Sequence, residues 1–76
     1  MTAFRKTAAA ERIRAAEDVA EELRGALRAA GVTLPSLRLD PVSCAREEPW
    51  PLVDLGCCNQ ETAARLAAAL RAGAAR

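Results

Sequence analysis

Apolar positions recur along the first part of the chain at alternating spacings of three and four: Ile13, Ala16, Ala20, Leu23, Leu27 and Ala30. That spacing is the a/d seam of a coiled coil and equally one stripe of a surface helix, so both readings predict a single long helix over residues 2–30. Ala9 continues the stripe toward the N-terminus, the run holds no Pro, and its Gly25 is tolerated at a cost of about 1 kcal/mol. Gly31 stands where a helix commonly closes on a residue at positive φ.

A run of about 28 residues at about 1.5 Å each makes a rod of roughly 42 Å, longer than the remaining residues can cover. The seam is rich in Ala. Small side chains let two helices approach closely, so their gain comes from packing contact more than from buried bulk. A second copy of the same helix is the natural partner, with Ile13, Ala16, Ala20, Leu23, Leu27 and Ala30 as the expected dimer interface.

Beyond Gly31 the pattern turns from helical to extended. Pro35 forbids helix and biases Leu34 toward extended geometry, while Leu37 and Leu39 alternate with Ser36, Arg38 and Asp40. This predicts a first strand at about 36–43, with one face buried and one wet, either ending at Pro41 or lying at a sheet edge. Residues 45–51 read as a loop, with Pro49 and Pro51 bracketing Trp50. Leu52 to Leu55 then read as a second short strand before Gly56. Two short strands make a β-hairpin over 36–55 that must lean on the helices, since a lone hairpin is marginal.

Asn59 is a favoured N-cap, followed by Glu61 in the first turn of a helix expected over 60–72. Ala63, Leu66, Ala67 and Leu70 form its expected apolar stripe, and Gly73 is placed to end it. The fold class is therefore α+β, in the order α-β-β-α, as a single small domain over 1–76.

A chain of 76 residues buries only about 60% of the surface it exposes when unfolded, and domains of this size commonly recruit disulfides, a metal or a partner subunit. The net charge of +1 gives no global field toward nucleic acid or anionic lipid. Arg5, Lys6, Arg12 and Arg14 lead the long helix, Glu17, Asp18, Glu21 and Glu22 come next, and Arg24 and Arg28 close it. Arg14 with Asp18 and Glu21 with Arg24 are spaced to pair across one turn, and the opposed blocks also suit an antiparallel alignment of two helices. No signal peptide and no membrane-spanning run is visible, so a cytoplasmic location is expected.

Chemistry is sparse. The chain has no His, which removes the usual base of a Ser or Cys nucleophile, and its glycines are too isolated for a phosphate-cradling loop. No catalytic residue, cofactor or metal is expected. Cys57 and Cys58 are adjacent, unlike the spaced pairs of redox and zinc motifs, so they read first as semi-buried packing residues with Cys44. Their position before a helix N-terminus nevertheless makes them the candidate reactive thiols. Trp50, between its prolines, is a candidate contact for another protein. The function expected is a non-catalytic protein-interaction or regulatory module acting as a homodimer. The alternatives are a DNA-associated regulator using the basic N-terminal helix patch, and a cysteine-based redox or metal sensor.

Overall fold

The long stripe forms one helix. The computed structural model describes residues 2–46 and 50–74, with side chains from residue 8 onward. Its elements are α1 (Thr2–Ala29), β1 (Arg38–Leu39), α2 (Pro41–Cys44), β2 (Val53–Asp54) and α3 (Gln60–Ala74), with β1 and β2 antiparallel. The α-β-β-α order holds, with one added turn of helix inside the hairpin. The molecule measures 48 × 26 × 17 Å, its long dimension set by the 28 residues of α1. Its radius of gyration is 15.4 Å, against about 11 Å for a compact domain of this length.

α1 ends in a full Schellman closure. Gly31 takes φ 75°, its N–H donates to the Arg28 carbonyl at 3.0 Å, and the Val32 N–H donates to the Leu27 carbonyl at 2.8 Å. The hydrophobic contact that accompanies this motif joins Val32 to Leu27. Here those two side chains, 2% and 6% exposed, are also the centre of the core, together with Leu37; Leu23, Leu34, Val53 and Leu66 pack around them. The closing of the helix and the founding of the core are thus one event.

Arg24 ties the next segment down. One of its guanidinium nitrogens donates to the Leu37 carbonyl at 2.9 Å, and the other meets Glu21 at 3.1 Å. Glu21 and Arg24 therefore pair as their spacing suggests, while Arg14 and Asp18, both exposed, do not.

The hairpin register sets Arg38 opposite Asp54 and Leu39 opposite Val53. Because side chains alternate along a strand, Leu37, Leu39 and Val53 share the inward face, and Arg38 and Asp54 face each other on the outer one at 3.9 Å. The first strand is much shorter than the 36–43 expected. Asp40 leaves the ladder to cap α2: its Oδ1 accepts from the Val42 N–H at 3.2 Å, and Pro41 takes the first helical position, where its missing N–H costs nothing. The second strand likewise contracts to Val53–Asp54, between Pro51 and Gly56.

Ser43 of α2 repairs the ladder that α2 interrupts. The Asp40 N–H reaches the Leu52 carbonyl directly at 2.8 Å. The reverse bond runs through the buried Ser43 hydroxyl, which accepts from the Leu52 N–H at 2.8 Å and donates to the Asp40 carbonyl at 2.7 Å.

α3 starts as expected, with the Asn59 Oδ1 accepting from the Thr62 N–H at 2.8 Å. Two expectations for it need correction. Gly73 does not end the helix, which runs through Ala74; a glycine within the last turn keeps helical geometry when no φ reversal comes after it. Nor is the inward face Ala63, Leu66, Ala67 and Leu70: Leu66 and Ala67 are half-buried, but Ala63 is exposed and Leu70 is 66% exposed. Only Leu66 of this helix joins the core, because the hairpin is too small to cover the next turn. Fraying is the sequence expectation for Ala74, Ala75 and Arg76; Ala74 is helical, and Ala75 and Arg76 lie outside the described residues.

Candidate functional site

Three regions carry what the sequence singles out. The first is the α1 seam. Ala20 and Leu27 are buried, and Leu23 packs on the core. Their own chain occupies the positions assigned to a partner helix, because the hairpin and Leu66 lie along that part of the stripe. Ile13 and Ala16 are half-buried, and Ala30 is exposed, one residue past the helix end.

The apolar sector of α1 is wider than the seam. Ala15, Val19 and Ala26 run at i, i+4 and i+11 along its edge, as residues on one helical face do. All three are exposed, Val19 by 57%. N-terminal to Arg12 lies a further stretch of α1, whose basic residues Arg5 and Lys6 fall outside the described side chains.

Trp50 is the second region. It is 61% exposed, and the Arg12 guanidinium lies 5.8 Å from its ring centroid. This cation–π geometry joins the loop to the middle of α1. The indole is therefore neither a buried plug nor detached: one face meets an arginine and the rest faces solvent. Of the loop expected over 45–51, residues 47–49 lie outside the described ones. Val42, Leu52 and Leu55 are also at least half exposed, an unusual amount of large apolar surface for a domain with so small a core.

The third region is the thiols. Cys44 is half-buried, Cys57 and Cys58 are exposed, and all three are free. The adjacent pair is thus not the semi-buried packing expected, since the chain from Gly56 to Asn59 runs over the surface. Both ends of that short bridge are held. At one, Gly56 takes φ 71°, its N–H donates to the Asp54 Oδ1 at 2.8 Å, and a Cβ there would collide with the Ser36 side chain and lie 3.1 Å from its carbonyl. At the other stands the Asn59 cap. Cys57 borders a shallow depression with Ser36, Arg38, Asp54 and Gly56. Among the described residues, no three His, Cys, Asp or Glu side chains gather as a metal cluster.

A cavity of about 100 Å³ opens beside the core, lined by Leu27, Val32, Leu34 and Leu37 with Arg24, Arg28 and Thr33. It is the space left where the loop after Gly31 bends back over α1.

Sequence reasoning missed the Ser43 bridge, the Arg24 clamp and the Arg12–Trp50 contact. Only the first left a signal, since Asp40-Pro41 followed by Ser43 is a helix start with a hydroxyl one turn from the cap. No described helix is long and apolar enough to cross a membrane. No family model, curated protein sequence or solved structure matches the chain.

Proposed function

We propose that this chain is a small non-catalytic interaction module that acts as a homodimer, with α1 supplying the contact. The observation that supports this reading is the surface left open. The accessible area is 6008 Å², whereas a compact monomer of 8.0 kDa exposes about 4,450 Å². That larger area goes with the elongated shape, 48 × 26 × 17 Å, and a stable interface takes about 800 Å² from each partner. Val19, 57% exposed, with the exposed Ala15 and Ala26 beside it, gives α1 an open apolar strip. Ile13 and Ala16 extend it toward the N-terminus; Ala20, Leu23 and Leu27 are left to the protein's own core.

Light scattering at tens of micromolar tests the proposal: a dimer of two 8.0 kDa chains has a mass of 16.0 kDa. Val19→Asp is the informative variant. Its side chain leaves the core untouched, so it should yield a folded monomer with an unchanged helical circular dichroism signal. A monomeric mass for the unmodified protein would end the proposal.

A further inference from the structure

We propose that Cys57 and Cys58 form a two-coordinate site for a thiophilic monovalent cation of the Cu(I) class. The pair is adjacent in sequence, exposed and free, and neither thiol belongs to the hydrophobic core. Its side chains are therefore free to rotate onto a common ligand while the backbone on both sides stays fixed, at Gly56 by its close approach to Ser36 and at Asn59 by the cap.

Adjacency decides between the chemistries open to two thiols. Consecutive Cα atoms across a trans peptide lie about 3.8 Å apart, below the range of about 4.4–6.8 Å that an unstrained disulfide spans, and its sulfurs must come within about 2.05 Å. A metal ion relaxes that demand. With metal–thiolate bonds of about 2.3 Å, a near-linear S–M–S unit needs its sulfurs only about 4.5 Å apart. Soft thiolates select Cu(I) and zinc among the common ions. Zinc asks for four ligands, which the chain cannot gather here: it has no His, and no third described donor joins the pair. Cu(I) is satisfied by two.

The charge balance suits this ion. Two thiols and one Cu(I) give a bis-thiolate complex of charge −1 and release two protons, with no change of oxidation state. Cys58 immediately precedes the cap of α3, whose positive dipole end favours a nearby negative charge. Arg38 lines the same depression as Cys57, although it also answers Asp54 at 3.9 Å.

The test uses the full reduced chain under anaerobic conditions, with Cu(I) supplied as its coloured bicinchoninate complex. The protein should withdraw about one equivalent per chain, read as loss of the complex's absorbance, with a thiolate-to-copper band growing in the near ultraviolet. Cys57→Ser and Cys58→Ser should each abolish the transfer, and Cys44→Ser should leave it unchanged. Both altered thiols are exposed, so an unchanged circular dichroism signal will show that loss of binding is not loss of fold. Three results would overturn the proposal: an intact bicinchoninate complex beside the unmodified protein, dependence of the transfer on Cys44, or zinc taken up at half an equivalent per chain in preference to copper. The first two of these do not depend on whether the chain is a dimer, and light scattering of the metal-free protein reads the dimer separately from metal uptake.

Discussion

The apolar stripe of α1 keeps one spacing from Ile13 to Leu27 and meets different fates along it. From Ala20 to Ala29 the stripe is used three times over: Ala20 and Leu27 are buried, Arg24 holds the Leu37 carbonyl, and the helix end is closed by residues that are themselves core. Toward the other end Ile13 and Ala16 are only half-buried, and Arg12 meets Trp50 of the loop. The difference does not lie in the helix itself, which is continuous through both parts. It lies in the elements downstream of α1: a hairpin with two-residue strands, and a helix that sends one side chain into the core. A periodic stripe therefore specifies which face is apolar but not how far along the helix its own chain covers it.

Leu27→Ala and Ile13→Ala break this comparison most directly. Leu27 is 6% exposed at the centre of the cluster, so its truncation should cost about 2–5 kcal/mol, enough to threaten a domain this small. Ile13 is half-buried; its truncation should cost distinctly less, with its larger effect on self-association. Urea unfolding of both variants at a concentration where the protein is monomeric makes the comparison clean. Equal losses would mean that the two halves are covered alike.

Ser43→Ala comes next. Removing the hydroxyl leaves the Leu52 N–H and the Asp40 carbonyl without their bridge, at a position only 4% exposed. The expected cost is about 1–3 kcal/mol. Ser43→Thr keeps the hydroxyl and should recover part of it. A silent Ser43→Ala, measured by thermal melting, would mean that α2 is a surface ornament and not part of what holds the hairpin against α1.

The order of elements, the closing Gly31 and the Asn59 cap were legible because each rests on a local rule: spacing, positive φ, a side chain reaching three residues ahead. The faces were less legible. Leu70 keeps perfect helical spacing with Leu66 and is still exposed, because burial depends on a neighbour that the spacing does not describe. Arg24 to Leu37 and Ser43 to Leu52 cross 13 and 9 residues of sequence, and nothing local announces them. α2 was hidden by competition: the alternation of Leu37 and Leu39 carried the strand reading across Asp40-Pro41, where the stronger signal was a capped helix start. The thiols were misplaced for a similar reason. Cysteine is so often buried that its residue type outweighed its position between two turn-forming residues, Gly56 and Asn59.

Asn59→Ala should have the smallest effect and sharpens the comparison from the other end. α3 rests mostly on solvent: none of its 15 residues is fully buried, and only Leu66 reaches the core. Such a helix gains little from packing, so its terminal hydrogen bonds are a larger share of what keeps it formed. The cap is a single contact, Thr62 N–H to Asn59 Oδ1 at 2.8 Å, beside the Ala63 N–H bonded to the Asn59 carbonyl at 3.0 Å. Alanine removes the first and leaves the second, at an expected cost of about 0.5–2 kcal/mol. Asn59→Asp keeps the acceptor and adds a charge that the helix dipole favours, so it should match or exceed the unmodified protein at neutral pH. Amide hydrogen exchange separates the local effect from the global one. Protection of the first turn of α3, at Thr62 and Ala63, should fall in Asn59→Ala while that of Leu23 and Leu27 in α1 changes only by the global loss. If first-turn protection is unchanged, the cap contributes nothing and α3 is held by Leu66 alone.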